Sequence, residues 1–159
     1  MEPNDPPVEL GSELDFLREL WALDHALQRS SKMMARDLGI TGPQRLALRL
    51  VSRFPGLPAG RLARLLHLHP STVTGVVRRL VDRGLLARRA DGLDRRRAHL
   101  QITPTGLALL GRPQMSIEAV VQNALRALKP REVEAAVKAF AVVAMGLESA
   151  AGKPRTKSL

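Results

Sequence analysis

The fold is decided by residues 69–106, HPSTVTGVVRRLVDRGLLARRADGLDRRRAHLQITPTG. The first part predicts a helix, because Pro70 suits a first helical turn and Gly84 suits the position just after a helix. The apolar residues between them recur at helical spacing. They form the inner stripe Val73, Val77 and Leu80, with Val76 and Val81 beside it. The second part predicts a β-hairpin, since two short runs of alternating polarity surround a turn at Asp91 and Gly92.

Two shorter helices precede this stretch in the predicted order. The first begins near Pro43 and ends before the FPG break at 54–56. The second is AGRLARLLHL at 59–68, and its expected inward residues are Leu62, Leu65 and Leu66. A helix, a short helix, a tight turn, another helix and a hairpin form the order of a winged helix-turn-helix. That arrangement places its recognition helix in the major groove of DNA.

The outward face of the helix that starts at Pro70 is suited to the major groove. Thr72 and Thr74 are short enough to reach base edges without keeping the helix out of the groove. Gly75 costs about 1 kcal/mol in a helix interior relative to alanine, a cost that a close backbone approach to a partner would explain. The alternative is that residues 71–79 are ordinary exposed helix surface.

Longer helical patterns flank this region on both sides. One helix is expected over 12–38, and another runs from Thr103 to about residue 128 with a kink at Pro113. A last helix spans about 131–149, and its segment AFAVVAMGL is apolar nearly all round, more than a helix covered on one face requires. The expected fold class is mainly α with a small β-hairpin wing and additional N- and C-terminal helices.

The positive charge of the chain is concentrated in its middle. Residues 43–106 hold 13 of the 25 Lys and Arg residues but only 3 of the 15 Asp and Glu residues, and so carry the whole net charge of +10. Every one of those cations is arginine, whose planar head group binds phosphate oxygens in a bidentate manner. The region therefore predicts a nucleic-acid surface. The alternative for the arginine run at 95–97 is a solvated charged turn.

Composition excludes several classes of function. The chain has no cysteine, so disulfides, thiolate metal sites and thiol redox sensing are excluded. It shows no glycine-rich phosphate loop, paired carboxylates or triad-like histidine, so neither an enzyme nor a cofactor is expected. The histidines at 67 and 69 fit a turn and a helix cap better than a metal site, because no acid lies nearby.

No feature of the sequence indicates a membrane protein. No apolar run approaches the ~18 residues that a membrane span needs. The N-terminus MEPNDPPVEL is acidic and rich in proline, unlike a signal peptide. A cytoplasmic protein without a membrane partner is expected.

Two motifs of the central region resemble those of one family. The segment DRRRAHLQITPTG at 94–106 carries an aspartate, any residue and an arginine, then a leucine-type residue, a threonine and a glycine at fixed spacing. The segment LARLLHLHPSTVTGVVRRLVDRGLLARR at 62–89 has a matching helix pair and entry to the wing. Both resemble the MarR family of winged helix-turn-helix transcriptional regulators, over about residues 12–150 and most strongly over 43–106.

The resemblance implies a DNA-binding site on two elements. Arg96 would enter the minor groove from the wing, and Asp94 would hold the wing by pairing with a nearby arginine. The remaining wing candidates, which would attract phosphate, are Arg88, Arg89, Arg95 and Arg97. The candidates on the recognition helix are His69, Ser71, Thr72, Thr74, Gly75, Arg78 and Arg79. Relatives often have glycine at position 67, aspartate or serine at 69 and an acidic residue at 78, so this chain departs from the family there.

The resemblance also implies an assembly and its regulation. Helices outside the DNA-binding lobe would join two copies, and the homodimer would bind a palindromic double-stranded operator with half-sites ~10 bp apart. A small aromatic or phenolic effector would release a repressor of this kind. Trp21 and His25, one turn apart, are candidates for the border of the effector pocket; the alternative is that they are packing residues.

The expected domain organisation follows from the same patterns. A single domain is expected over 12–150, preceded by a disordered segment and followed by a flexible tail. Its parts are the DNA-binding lobe at 43–106 and the dimerisation helices at 12–38 and 104–150, with the disordered segment at 1–11 and the tail at 151–159. The alternative function is a winged-helix protein-interaction or architectural nucleic-acid-binding module without ligand control. Few aromatic residues are available for stacking on single-stranded RNA.

Overall fold

A computed structural model describes residues 10–90, 98–112 and 117–151. The described chain is mainly helical with one small antiparallel sheet, which confirms the predicted fold class. Its elements, in order, are α1 (Ser12–Asp37), α2 (Gly42–Arg53), β1 (Leu57–Pro58), α3 (Ala59–Leu66), α4 (Pro70–Asp82), β2 (Leu86–Ala90), β3 (Ala98–Ile102), α5 (Pro104–Leu110), α6 (Ile117–Leu125) and α7 (Pro130–Ala151). Two compact units are formed, one up to Ile117 and the other from Glu118 onward.

The core of the first unit is aliphatic and lies between α2, α3, α4 and the sheet. Leu48 of α2, Leu62 of α3 and Leu100 of β3 are fully buried in it. The predicted inner stripe of α4 is confirmed, since Val73, Val77 and Leu80 are buried together with Val76. This packing turns one face of α4 toward the core and leaves the other face outward.

The inward face predicted for α3 is partly wrong. Leu62 is buried, but Leu65 is 42% exposed. The helix buries Ala63 instead, so its inner face is centred between Leu62, Ala63 and Leu66. At 100° per residue, Leu65 points about 105° away from the middle of that face.

The sheet has three antiparallel strands in the order β1–β3–β2. The pairing of the two predicted hairpin strands is confirmed, with Leu86 opposite Ile102 and Arg88 opposite Leu100. The predicted turn at Asp91 and Gly92 lies outside the described residues. The third strand, β1, was not predicted; it pairs Leu57 with Leu100 along the other edge of β3. A strand of two residues is too short to show the alternation by which strands are recognised in a sequence.

The prediction of one kinked helix from Thr103 to about residue 128 is wrong. α5 already ends at Leu110, and α6 begins as a separate helix; Pro113 lies outside the described residues. The last carbonyl oxygens of α5 accept hydrogen bonds from α2. Arg45 Nη2 donates to Leu110 O at 3.2 Å, and Arg49 Nη2 donates to the same oxygen at 3.5 Å. Carbonyls bound in this way are those that a helix end leaves without an intrahelical partner.

The last helix is confirmed and is longer than expected. α7 reaches Ala151, the first residue of the predicted flexible tail. The expected disorder at the N-terminus falls mostly on residues 1–9, and the rest of the tail on 152–159, all outside the described residues. Within the described ranges, no helix is both long and apolar enough to cross a membrane.

Candidate nucleic-acid interface

The N-terminus of α4 is capped by a histidine. His69 Nδ1 accepts a hydrogen bond from the Ser71 backbone N–H at 3.3 Å and lies 2.7 Å from Ser71 Oγ. Because a backbone N–H only donates, the neutral His69 ring carries its proton on Nε2, which remains available as a donor. His67 ends α3 in the left-handed conformation, with φ of 51°. The two histidines therefore serve as turn and cap, as the sequence predicted.

The outward face of α4 is polar and has one hydroxyl partly engaged. Ser71, Thr72 and Thr74 are all exposed. Thr74 Oγ1 donates to the carbonyl oxygen of Pro70 at 2.9 Å, one turn earlier in the same helix. Its hydrogen is thereby used, and the hydroxyl oxygen faces outward as an acceptor.

Gly75 is not required by the fold of the described chain. It lies within a regular helix, and a Cβ built there would meet only the Arg79 guanidinium, at 3.7 Å from Nη1. That distance is an ordinary van der Waals contact. No described atom therefore excludes a side chain at this position, and a close approach of Gly75 to DNA stays a prediction.

The cations of the recognition helix are exposed. Arg78 Nε lies 3.7 Å from Asp82 Oδ2, one turn later, with the Arg78 side chain 80% exposed. An exposed pair of this kind contributes about 0–1 kcal/mol, so Arg78 can exchange Asp82 for another anion at little cost. Arg79 is also exposed.

The base of the wing holds one of its arginines in place. Arg88 and Arg89 lie on β2 and are exposed. Arg89 Nε donates to Gln101 Oε1 across the strand pair at 2.9 Å. Gln101 was not singled out from the sequence, because the contact depends on the register of the two strands. The other wing candidates, Asp94, Arg95, Arg96 and Arg97, lie outside the described residues.

The wing signature also contains residues that build its root. Thr103 Oγ1 donates to the Gly84 carbonyl oxygen at 2.7 Å and accepts from the Gly106 backbone N–H at 3.0 Å. A Cβ at Gly106 would lie closer than 3.0 Å to the backbone carbonyl of Leu85. The threonine and glycine of the motif thus fasten the end of the wing to the end of α4.

A histidine of β3 ties the sheet to the turn before β1. His99 Nδ1 donates to the Gly56 carbonyl oxygen at 2.7 Å. The Gly56 backbone N–H in turn donates to Leu100 O at 3.1 Å. This pair of bonds fixes β1 against β3 and was not visible in the sequence, since the partners lie 43 residues apart.

One arginine of the basic region belongs to the core. Arg45 is 1% exposed and donates to the carbonyls of Leu109 and Leu110. The charge excess of residues 43–106 is therefore not entirely a surface feature. Away from the interface, a hydrogen bond from Arg36 holds the pKa of Asp37 below its ordinary value.

The candidate effector residues lie on the surface of α1. Trp21 is 61% exposed. His25 Nδ1 donates to the Trp21 carbonyl oxygen at 2.8 Å, as expected for residues one turn apart. The structure places the two together, and their contact with an effector stays a prediction. Within the described ranges, no three side chains of the metal-binding types form a group that could hold a metal ion.

Comparison with known proteins gives one family. A model of the MarR family matches residues 38–97. An HTH-type transcriptional repressor of Mycobacterium tuberculosis (strain ATCC 25618 / H37Rv) is 34% identical over 91 residues, or 57% of this chain. That match spans 66% of the repressor's own length, just under two thirds.

Solved structures agree with the fold. A probable transcriptional regulator from Pseudomonas aeruginosa is 31% identical, with a TM-score of 0.59 over 77% of this chain and 94% of that one. S. aureus MepR, solved as a complex with DNA, is 20% identical, with a TM-score of 0.67 over 83% of this chain and 97% of that one. At such identity the second likeness shows the fold alone. The relatives with a named role are transcriptional regulators, not enzymes.

Proposed function

Because the chain belongs to the MarR family of winged helix-turn-helix transcriptional regulators, we propose that it is a homodimeric repressor that binds a palindromic operator in double-stranded DNA. Each α4 would enter one major groove, with half-sites ~10 bp apart, and each wing would follow a flanking minor groove. MepR, which has the same fold, was solved as a complex with DNA, so the fold is compatible with this partner.

The proposal depends most on the presence of a glycine at position 75, on the outward face of α4. The fold of the described chain does not need a glycine there, and the residue lowers helix stability by about 1 kcal/mol relative to alanine. Short polar side chains and exposed arginines surround it on the same face. Gly75 lowers the stability of α4 at a position surrounded by groups that suit base edges and phosphates. A close approach of the helix backbone to DNA best explains a glycine there.

The substitution Gly75→Ala tests this explanation, because it should move two measurements in opposite directions. The operator is first selected from random duplex DNA with the wild-type protein. The free energy of unfolding of the variant, measured with denaturant, should then rise by about 1 kcal/mol. Its affinity for the operator should fall about tenfold or more, a loss of ~1.4 kcal/mol in binding free energy. A variant that is more stable and binds with unchanged affinity would overturn the role of Gly75. Failure of the wild-type chain to select any duplex would overturn the function itself.

The wing provides a second test. Replacing Arg96 with alanine should weaken operator binding about 10- to 100-fold at fixed salt, since an arginine in a narrow minor groove meets its enhanced negative potential. Arg131→Ala removes the same charge from α7, outside the basic region, and serves as the matched control. Equal affinities of the two variants would show that Arg96 acts only through net charge.

Dimerisation is supported by apolar side chains that the described chain leaves uncovered. On α1 these are Leu14, Leu17, Trp21, Leu23, Leu27 and Met33, and on α7 they are Val137, Val142 and Leu147. Exposed apolar surface on this scale marks an interaction site. A second copy of the chain is the partner that the family suggests, and the homodimer would present two recognition helices to the two half-sites.

We further propose release by a small aromatic or phenolic effector bordered by Trp21 and His25. The effector can act only if it binds one form of the dimer more tightly than the other. A panel of aromatic and phenolic acids added to the operator complex should include compounds that release the DNA, and Trp21→Ala should reduce their potency. A regulator that no member of the panel releases would instead bind DNA without ligand control of this class.

A further inference from the structure

A cation at the end of the recognition helix contacts the end of α1. Arg83 directly follows α4. Its guanidinium donates from Nη1 to the Gly39 carbonyl oxygen and from Nη2 to the Leu38 carbonyl oxygen, the latter at 3.4 Å. These carbonyls follow the last residue of α1, Asp37. The contact joins residues 44 and 45 positions apart in the chain.

The residue that receives this guanidinium is fitted to it. Gly39 has φ of 69°, a backbone conformation that residues with side chains rarely adopt. A Cβ at Gly39 would also lie 2.8 Å from Arg83 Cζ. A cation is favourable at this place, because the terminal carbonyls of a helix carry partial negative charge. The positive φ of Gly39 is usual for the residue that follows a helix, whereas the space left by the missing Cβ and the partial charge of the carbonyls favour the guanidinium there.

We propose that Arg83 is a positioning residue that sets the spacing of the two recognition helices. This inference rests on the proposed function, in which α1 contributes to the dimer interface and α4 enters the groove. The core holds α4 within the lobe through Val73, Val77 and Leu80. Arg83 joins the end of that same helix to the helix whose position the partner copy would fix. Arg83 would therefore make the position of α4 depend on the position of α1 in the dimer.

A positioning role differs from a phosphate contact in what it predicts. Removing a phosphate contact weakens binding to every duplex and lowers the slope of log affinity against log salt by about 0.9. Loss of a positioning residue leaves that slope unchanged. It lowers affinity only where two half-sites must be reached at once, and it relaxes the preference for one half-site spacing.

The test uses the full-length chain and three DNA probes. These are the selected operator, the same operator with one base pair inserted between its half-sites, and a duplex with a single half-site. Arg83→Gln should weaken binding to the selected operator by about 2- to 30-fold, leave half-site binding unchanged, and reduce discrimination between the two spacings. Arg83→Lys should recover part of the loss, because an ammonium group can still donate to the carbonyls. Arg36→Gln, which removes a charge from the last turn of α1, is the control and should match the wild type.

A second variant reaches the same contact from the other side. Gly39→Ala places a methyl group where the guanidinium lies and keeps the charge of Arg83, so it should also relax the spacing preference. The inference is overturned if both variants discriminate spacing as the wild type does, or if Arg83→Gln weakens all three probes equally and lowers the salt slope. If the wild-type chain binds none of the probes, the proposed function is overturned as well. Binding by the wild type therefore distinguishes a failure of the inference on Arg83 from a failure of the proposed function.

Discussion

Two helices, α4 and α7, differ in how their apolar side chains are covered, although α7 is the more apolar of the two. α4 has 13 residues and buries Val73, Val76, Val77 and Leu80. α7 has 22 residues, and none of those from 130 to 150 is buried. Apolar sequence therefore does not by itself show that a helix belongs to the core of its own chain. The apolar stripe of α4 is covered within its own chain, and we propose that the exposed apolar side chains of α7 are covered by a second copy.

The largest expected effect follows from a substitution on the buried face of α4. Leu80→Ala should lower the free energy of unfolding by about 2–5 kcal/mol, because Leu80 is fully buried and the cavity left behind adds to the lost transfer energy. Denaturant unfolding at several protein concentrations measures it. Thr72→Ala, on the exposed face of the same helix, is the control and should change stability by no more than about 0.5 kcal/mol. Similar losses for the two variants would contradict the two-sided description of α4.

The next largest effect is expected on dimerisation and concerns α7, the helix that we propose packs against a second copy. Leu147→Asp places a charge on the apolar face of α7, where Phe140 and Val143 also lie, and should raise the dimer dissociation constant about tenfold or more. Met145→Asp is the matched control, because Met145 is equally exposed but shares the opposite face with Lys138. Sedimentation equilibrium distinguishes the variants. A dimer weakened equally by both, or a wild type that is monomeric at micromolar concentration, would contradict the interface.

The smallest expected effect on stability comes from Thr103, which joins the end of the wing to the end of α4. Thr103→Ala removes the side chain that caps α5 and binds the end of α4, and should cost about 1 kcal/mol of stability. Thr103→Ser keeps the hydroxyl and should lose less than half as much. Thermal unfolding of the two variants gives the comparison, and an equal loss would show that the methyl group, not the hydroxyl, stabilises the wing root.

The parts of the fold that were predicted correctly depend on neighbours in sequence. The start of α4 at Pro70, its inner stripe and the hairpin after it follow from residue spacing and from the conformations of proline and glycine. The end of α5 at Leu110 was missed although Gly111 and Pro113 follow it in the sequence. The side chains that bind its last carbonyl, Arg45 and Arg49, lie more than 60 residues earlier in the chain. Contacts at that separation leave no periodic trace in the sequence.

The same division holds for the candidate site. His69 as a cap and Gly75 as an unexplained cost were recognised, because each is a property of one helix. Gln101 and Arg83 were not, since their roles depend on strand register and on the end of α1. Thr103 and Gly106 were noted as a motif, but their contacts with the end of α4 became visible only in the structure.

The separation of the two faces of α4 has a consequence for how such a regulator can change over time. The side chains that hold the helix in the lobe point inward, and those offered to DNA point outward. Substitutions on the outward face can therefore accumulate without a loss of folding. A duplicated copy of this chain could acquire a new target sequence through a few such changes while retaining its scaffold.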